Sequence, residues 1–363
     1  MSKIRVLLLF GGRSSEHSIS CVTAAGVMGA IDRNRFELVP VGITKTGTLV
    51  PVEDNPALFT LTGDTLPTVE FAGTKCIWPE LGDKELRCID ADGKVHSLGD
   101  IDLVFPVLHG PYGEDGTIQG LLELLDIPYV GNGVFASAAG MDKEFTKALF
   151  QAAGIPVTPH VVIRERNWMH DPESALEKVA KLGDLPLFVK PARAGSSVGV
   201  SKVSDMADFA DAVALALDND NKVVVERGLV GREVECAVLG GRDGKRPRVS
   251  VAGEIIVTGR DFYDFEAKYL DESSVQLVVP ADITAEQLDE MQSIARRAFE
   301  AIGGAGLARV DFFLTKDGFF VNEINTMPGF TPLSMFPMLW QATGISYPDL
   351  ISELIDLALE GHL

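Results

Sequence analysis

The first part of the chain alternates short apolar runs with a segment of helical periodicity. Apolar runs at residues 4–10, 36–43 and 101–108 predict buried strands, and residues 19–31 predict a helix after the first of them. This alternation favours an α/β fold in which helices cover an open parallel sheet. Residues 45–98 interrupt the pattern with a polar stretch punctuated by Pro and Gly, which indicates an insertion.

Two polar loops follow strands of the predicted parallel sheet. Residues 11–18 read GGRSSEHS, and residues 109–116 read HGPYGEDG. Ligands gather beyond the carboxyl ends of the strands in such sheets, so both loops lie where a ligand is expected. His109 stands at a strand end inside the second loop, which favours a ligand-binding role over an ordinary structural one.

The rest of the chain predicts two further segments. The second contains a helix at 143–153 and a helix at 207–217, with strands at 187–190, 200–203, 223–226 and 233–239. The third contains a long helix at 285–302 and a hairpin that ends at Asn325. We therefore divide the chain into three domains, at residues 1–140, 141–239 and 240–363.

The hairpin at 309–325 carries the most informative polar residues. A two-residue Asp-Gly loop would set Asp311 opposite Ile324. A three-residue loop, with a left-handed glycine in a bulge, would instead set Asp311 opposite Glu323, and Arg309 opposite Asn325.

In the second of these registers, two carboxylates and an amide oxygen meet at one end of the hairpin. Such hard oxygen ligands suit Mg²⁺ bound together with phosphates. A solvated hairpin face is the alternative reading. Phenylalanines at 312, 313, 319 and 320 favour a buried hairpin, where two neighbouring acids need a cation.

A second polar feature, at residues 190–199, reads KPARAGSSVG and joins two apolar strands. Its glycines allow the backbone to approach a phosphate chain, while Lys190 supplies a positive charge. The loop is not a P-loop, because GxxxxGK[ST] is absent. No GxGxxG follows the first strand, and no strand leads through GxSxG into a helix as in a hydrolase nucleophile elbow. A plain Gly-Ser turn is the alternative.

The composition is that of a folded globular protein, with 46% hydrophobic and 23% charged residues. The 32 Lys and Arg residues against 52 Asp and Glu residues give a formal charge of −20. This charge disfavours nucleic acid and anionic membrane surfaces as partners. It is compatible with a small anionic ligand, because salt screens distant carboxylates beyond about 8 Å.

The sequence shows no targeting signal and no cysteine framework. Its first apolar run has only five residues before Gly11, too short for a secretory segment of about 7–15 or a membrane span of about 20. The four cysteines lie far apart without CxxC spacing, which disfavours a zinc site or a disulfide framework. These features predict a cytoplasmic protein that does not insert in a membrane.

Taken together and in this order, the motifs resemble the D-alanine–D-alanine ligases of the ATP-grasp superfamily over nearly the whole chain. They are GGRSSEHSIS at 11–20, HGPYGEDG at 109–116, MDK at 141–143, KPARAGSSVG at 190–199, YDFEAKY at 263–269, RVD at 309–311 and NEINTMPG at 322–329. The resemblance implies a three-domain ATP-grasp fold with an N-terminal parallel-sheet domain. The first domain would bind substrate, and ATP would lie between the other two.

The resemblance also implies roles for individual residues. For ATP, Lys143 and Lys190 would hold the phosphates under the loop that contains Ser197, with Glu226 on the adenine amino group and Glu233 on the ribose hydroxyls. Lys268 is also implied to bind the nucleotide. The implied ligands of two Mg²⁺ ions, which Mn²⁺ could replace, are Asp311, Glu323 and Asn325. For the two D-alanine substrates, the implied residues are Glu16, His109, Lys268 and Ser334. Arg309 and the backbone N–H of Gly329 would face the tetrahedral oxyanion, and Glu16, Ser196 and Tyr269 would form a hydrogen-bonded chain that closes a lid.

The implied reaction is ATP-dependent ligation of two D-alanine molecules through an acyl phosphate, for peptidoglycan synthesis, by a homodimer. D-Alanine–D-lactate and D-alanine–D-serine ligases are the nearest alternatives, and Tyr269 favours the dipeptide product over D-lactate. A glutathione-synthetase-like ligase is a more distant alternative, disfavoured by the loops that carry Glu16 and His109. A non-catalytic ATP-binding regulator is disfavoured because the implied metal ligands and phosphate lysines are all present.

Overall fold

The computed structural model of the protein describes residues 3–60, 66–195, 197–257 and 275–361, and confirms an α/β architecture of several sheets. In the N-terminal sheet, β1 pairs in parallel with β2 on one side and with β7 on the other, as the apolar runs predicted. Its strands, in spatial order, are β3 (Leu49–Pro51), β2 (Phe36–Ile43), β1 (Ile4–Gly11) and β7 (Leu103–Pro106). The helices of this part are α1 (His17–Ala30), α2 (Thr117–Leu125) and α3 (Val134–Met141).

The predicted insertion contains ordered structure of its own. After β3 and a 3₁₀ turn at Pro56–Phe59, it forms an antiparallel sheet of β4 (Lys75–Ile77), β5 (Glu85–Ile89) and β6 (Val95–Asp100). Cys76, Leu86 and Cys88 of this sheet pack in one buried cluster with Leu7 and Leu9 of β1. The stretch therefore extends the N-terminal core.

The second sheet is antiparallel and contains three of the predicted strands, together with β8, which was not predicted. Its order is β10 (Ser201–Val203), β9 (Leu187–Pro191), β11 (Lys222–Arg227) and β8 (His160–Arg164). The helices of this layer are α5 (Glu165–His170), α6 (Pro172–Val179) and α7 (Phe209–Leu217). Phe209, Val213 and Ala216 of α7 are buried against this sheet, which leaves the loop from β9 to β10 on its rim.

The third sheet holds the predicted hairpin. Its order is β14 (Val275–Val278), β13 (Arg248–Val257), β12 (Arg232–Leu239), β15 (Leu307–Thr315) and β16 (Gly318–Asn325). The helices of this part are α4 (Lys143–Ala152), α8 (Ala285–Ala301), α9 (Met335–Thr343) and α10 (Tyr347–Gly361). β12, which the sequence grouped with the second segment, pairs here with β13 and β15. The domain boundaries at 140 and 239 stay a prediction.

The hairpin has the predicted pairing at its site end, although the predicted three-residue loop is wrong. Asp311 lies opposite Glu323, and Arg309 lies opposite Asn325. The strands meet at Thr315 and Gly318, so only two residues form the loop. A one-residue bulge between the pairs 312–321 and 311–323 shifts the register to the predicted one.

A large apolar cluster joins the N-terminal sheet to helices from the end of the chain. Phe330 lies at its centre with no exposed surface. Its ring contacts those of Phe105, Phe336 and Tyr347, with centroids 6.0, 5.9 and 5.5 Å away. The Tyr347 hydroxyl also donates a hydrogen bond of 2.7 Å to the Phe330 carbonyl. Packing at Phe330 therefore joins the N-terminal sheet to helices α9 and α10.

Replacing Phe330 by Ala should lower the free energy of unfolding by about 3–5 kcal/mol, because the cavity lies where three rings meet. Urea unfolding curves measure the loss. The matched control is Phe135→Ala, which removes the same ring from a position that is 62% exposed and should change stability by less than about 0.5 kcal/mol. Equal losses in the two variants would contradict the central position of Phe330.

Candidate active site

The second and third sheets enclose a cavity of ≈ 350 Å³ between them. Residues of β9, β11 and the loop that follows β9 line one side, and residues of β12, β15 and β16 line the other. The cavity brings together most of the residues that the sequence assigned to ATP and metal. Within it lie Lys143, Lys190, Ser197, Glu226, Glu233, Arg309, Asp311 and Glu323. Its size and mixed lining are typical of a small-molecule site.

A buried carboxylate holds two lysines at the back of the cavity. Glu226, at the end of β11, is 3% exposed, and its Oε2 lies 2.8 Å from the Lys190 Nζ. Its Oε1 lies 2.8 Å from the Nζ of Lys147 on α4. Burial raises the pKa of Glu226, but the two ammonium groups lower it by more, to about 2. Glu226 is therefore an anion at neutral pH.

Lys147 was not among the residues predicted from the sequence, although the pattern contained a signal for it. Lys147 lies one turn after Lys143 on the same helix and is 1% exposed, beside the buried Thr146 and Phe150. A lysine on the apolar face of a helix needs a buried partner. Its Nζ also donates a hydrogen bond of 3.2 Å to the carbonyl oxygen of Asn322.

The loop after β9 closes over the cavity as a phosphate-binding loop would. Lys143 donates a hydrogen bond of 2.8 Å from its Nζ to the Ala194 carbonyl in this loop. Ser197 lines the cavity with a φ of +57°, the left-handed conformation that folds the backbone sharply. A Cβ built on Gly195 would lie 3.5 Å from Oε2 of Glu16, so the loop also approaches the N-terminal domain.

The carboxylates of the hairpin lie at the front of the cavity. Arg309 makes a bidentate contact with Asp311, with Nε–Oδ1 and Nη2–Oδ2 distances of 2.7 and 2.8 Å. Its Nε also lies 2.9 Å from Oε2 of Glu235, a buried residue of β12 that the sequence analysis missed. Burial lowers the pKa of the guanidinium, but Asp311 and Glu235 raise it well above its usual range. The pairing of Glu235 with Asp311 across strands β12 and β15 explains this contact.

The residues at the end of the hairpin fit a hard divalent cation. Asp311 and Glu323 are direct partners across the strands, and Asn325 donates a hydrogen bond of 2.9 Å from its Nδ2 to Asp311 Oδ2, which leaves its carbonyl oxygen as an acceptor. Lys143 Nζ lies 3.9 Å from Glu323 Oε2. Among the described residues, His, Cys, Asp and Glu form no group of three with the arrangement of a metal site. The set therefore suits Mg²⁺ that takes its other ligands from phosphate and water.

A separate polar corner lies between the two N-terminal loops. His109 is buried, with Nδ1 3.3 Å from Glu114 Oε1 and Nε2 3.2 Å from Thr23 Oγ1. Burial lowers the pKa of His109, but Glu114 and Glu16 raise it by more. A Cβ on Gly110 would lie 2.7 Å from Glu16 Oε2, which places the Glu16 carboxylate against this loop.

His17 connects the Glu16 loop to the stretch at 66–69. Its Nδ1 lies 2.6 Å from the Gly12 carbonyl oxygen, and its Nε2 accepts a hydrogen bond of 2.9 Å from the backbone N–H of Val69. Since Nε2 must be an acceptor, the ring is neutral with its proton on Nδ1. Burial lowers its pKa and therefore agrees with this state.

Gly329 and Ser334 lie together in the turn before α9. A Cβ on Gly329 would be 3.2 Å from the Ser334 Oγ. That oxygen also accepts a hydrogen bond of 3.1 Å from the backbone N–H of Thr331. Of the remaining predicted residues, Ser196, Lys268 and Tyr269 lie outside the described part of the chain.

Comparison with known proteins identifies a family over most of the chain. Residues 5–132 match the family model for the D-ala D-ala ligase N-terminus, and residues 149–356 match that for the D-ala D-ala ligase C-terminus. The chain is 51% identical to the D-alanine–D-alanine ligase of Arthrobacter sp. (strain FB24), covering 99% of this chain and 94% of that protein. It is 53% identical to the ligase of the same name from Kineococcus radiotolerans, with coverage of 98% and 97%.

Solved structures agree with the sequence matches. The VanG D-Ala:D-Ser ligase of Enterococcus faecalis is 34% identical with a TM-score of 0.83, over 98% of this chain and 100% of that one. The D-alanine–D-alanine ligase of Coxiella burnetii is 33% identical with a TM-score of 0.81, over 100% and 95%.

The contacts of His17 predict a pH-dependent contribution to stability. The unfolded chain takes up a proton at His17 near pH 6.5, whereas the folded chain resists it until a lower pH. Stability from His17 is therefore complete above about pH 6.5 and declines as the pH falls from there toward the lowered pKa. His17→Asn should cost about 1–3 kcal/mol at pH 8 through unsatisfied buried groups, and that deficit should narrow at acidic pH.

Urea unfolding at a series of pH values compares the wild type with this variant. The control is His170→Asn, which changes an exposed histidine at the end of α5 and should keep the wild-type pH profile. A deficit that stays constant with pH would show that His17 does not remain neutral in the folded state.

Proposed function

The chain belongs to the D-alanine–D-alanine ligase family, and from that premise we propose that it joins two D-alanine molecules to form D-alanyl-D-alanine for peptidoglycan synthesis, converting ATP to ADP and phosphate. The ATP-grasp fold predicted from the sequence is confirmed, because solved ligases align with nearly the whole chain. The observation that supports this function best is that Lys143 and Lys190 line the same cavity as the paired carboxylates Asp311 and Glu323 of the hairpin.

Direct condensation of two amino acids is slow, because a carboxylate is a poor electrophile. In the proposed reaction a carboxylate oxygen of the first D-alanine attacks the γ-phosphorus of ATP, ADP leaves, and an acyl phosphate forms. The free amine of the second D-alanine then attacks the acyl carbon, and phosphate leaves from the tetrahedral intermediate. Exclusion of water is needed because an acyl phosphate hydrolyses readily.

We assign the ATP phosphates to Lys143 and Lys190, which both line the cavity. Lys143 donates hydrogen bonds from its backbone N–H to the Ala192 carbonyl, at 3.0 Å, and from its Nζ to the Ala194 carbonyl, so it contacts the loop that contains Ser197. The charges of the two lysines would neutralise the phosphoryl group during transfer, a step in which positioning and electrostatic stabilisation do most of the catalysis. Glu226 and Glu233 line the same cavity, which is consistent with the proposed contacts to adenine and ribose.

Two Mg²⁺ ions, or Mn²⁺ in their place, are part of the proposal. Asp311, Glu323 and Asn325 would hold them, and the ions would supply charge neutralisation at the transferring phosphoryl group. Arg309 lies directly beside these ligands and, with the backbone N–H of Gly329, is proposed to stabilise the oxyanion of the tetrahedral intermediate. The removal of one such donor typically reduces the rate by about 10²–10³.

The D-alanine sites are proposed at the junction of the N-terminal loops with the cavity. Glu16 would bind the ammonium group of the first D-alanine beside His109, and Ser334 the carboxylate of the second. Support comes from the position of Glu16 between Gly110 and Gly195, which connects the polar corner to the phosphate loop. Ser196 and Tyr269 keep their proposed roles in the lid, and Lys268 keeps its proposed contacts to the nucleotide and the second substrate, from the family resemblance alone.

The proposal places this ATP-consuming reaction in the cytoplasm and assigns it to a homodimer. No helix within the described residues combines the length and the apolar character that crossing a bilayer requires.

A substrate panel tests the proposed function directly. Phosphate release from ATP should depend on D-alanine, and the product should be the dipeptide. D-Lactate or D-serine offered with D-alanine should be poor second substrates, and L-alanine should be inactive. Mass spectrometry of the products and a phosphate assay measure both points. ATP turnover that ignores D-alanine, or binding without turnover, would refute the ligase; preferential use of D-serine would favour the alternative that the VanG similarity suggests.

The metal assignment predicts the behaviour of Glu323→Gln, which keeps the shape of the side chain and removes its charge. We expect the Mg²⁺ concentration for half-maximal activity to rise by at least about tenfold, because one anionic ligand is lost. The Mg²⁺-dependent increase in melting temperature with ADP bound should weaken in parallel. The control Asp317→Asn makes the same change at the exposed loop of the hairpin. If both variants keep the wild-type Mg²⁺ requirement, Glu323 is not a ligand.

A further inference from the structure

Three charged side chains lie together at the back of the cavity, and one of them, Lys147, has no part in the proposed reaction. Glu226 lies between Lys190, which lines the cavity, and Lys147, which does not. Lys147 and Glu226 are 1% and 3% exposed, so neither charge is screened by bulk water. A buried lysine with no catalytic use costs stability, which calls for a physical reason for its presence.

The net charge of Lys147, Glu226 and Lys190 explains why Lys147 is present. Glu226 alone would neutralise Lys190, and the pair would offer no net charge to a phosphate. With Lys147 included, two ammonium groups face one carboxylate and the group keeps a net charge of +1. Each oxygen of Glu226 contacts a different lysine at 2.8 Å, so Lys190 shares its partner.

The bulge of the hairpin contacts both lysines of this group through Asn322. Asn322 is the extra residue of the bulge between β15 and β16. Its carbonyl oxygen lies 3.2 Å from Lys147 Nζ, and its side-chain Oδ1 lies 3.5 Å from Lys190 Nζ. The bulge that orients Glu323 therefore also anchors both lysines.

We propose that Lys147 is a positioning residue for the nucleotide: it compensates the charge of Glu226 and holds that carboxylate in place, so that Lys190 stays oriented and electrostatically available to the ATP phosphates. This inference rests on the proposed function for the role of Lys190 and extends it to a residue that does not line the cavity. Lys147 acts through Glu226, so its effect should depend on the charge at position 226.

A double-mutant cycle on nucleotide binding tests this dependence. Lys147→Met keeps much of the apolar stem and removes the charge. It should raise the Kd for ATP by about 10- to 100-fold, as expected for one charged hydrogen bond. The same change in a Glu226→Gln background should raise the Kd by less than about threefold, because no carboxylate charge remains to be compensated. Calorimetry without D-alanine measures both constants, independently of ligase turnover.

Adenosine is the second probe, since it lacks the phosphates. Lys147→Met should raise the Kd for adenosine by a clearly smaller factor than the Kd for ATP, because Glu226 is also the proposed adenine contact, whereas the charge of Lys190 acts on the phosphates alone. The KM for D-alanine should stay within about twofold, because Glu16 and His109 lie in the separate polar corner. The melting temperature should fall in each single variant and recover partly in the double variant.

Lys222→Met is the matched control. Lys222 is also a buried lysine on the contact between β11 and α4, with Nζ 2.7 Å from Asp142 Oδ1 and 2.8 Å from Glu144 Oε2, and it does not line the cavity. Its loss should lower the melting temperature and leave the ratio of the ATP and adenosine constants unchanged.

Equal losses of ATP and adenosine binding in Lys147→Met would overturn the proposal, as would an equal effect of this change in both backgrounds. Either result would make Lys147 a packing residue. The substrate panel on the wild type decides the ligase function separately, so the two ideas can fail independently.

Discussion

The ion pairs of Glu226 connect the parts of the molecule that must come together around a nucleotide. A carboxylate at the end of β11 is fully buried only because Lys190 of β9 and Lys147 of α4 neutralise it. Through Asn322 the same lysines reach the hairpin of the third sheet. Helix α4 itself packs on that sheet, since Phe150 belongs to the core beneath β12, β15 and β16. Compensation of one buried charge therefore fixes two sheets relative to each other, and the cavity lies between them.

Much of the fold could be predicted from local patterns. The strands at residues 36–43 and 187–190 and the helices that begin at 143 and 285 were placed within about a residue, because each has strong periodicity and clear end signals. The insertion was predicted only as a polar stretch, with no strands assigned to it. Its strands are short, and what stabilises them is burial of Cys76, Leu86 and Cys88 against β1, a contact that no local pattern reveals.

The site was predicted from motifs rather than from geometry, and the difference is visible at three residues. The pairing of Asp311 with Glu323 was predicted through the wrong loop; the spacing of the buried Phe319, Val321 and Ile324 breaks alternation and contained the signal for the bulge. Lys147 could have been noticed as a charge on an apolar helix face. The contact of His17 with Val69 could not be predicted, because the two residues are 52 positions apart, with strands β2 and β3 between them, and they meet through a backbone N–H.

The bulge at Asn322 divides the hairpin into two halves with different roles. Between the loop and the bulge, the pairing keeps Phe319 and Val321 in the core. Beyond the bulge, the pairing is offset by one residue and sets the carboxylates against each other. One backbone residue thus separates the half of the hairpin that only packs the core from the half that also carries the carboxylates. A substitution in the first half can change the packing there without changing which residues face each other beyond the bulge.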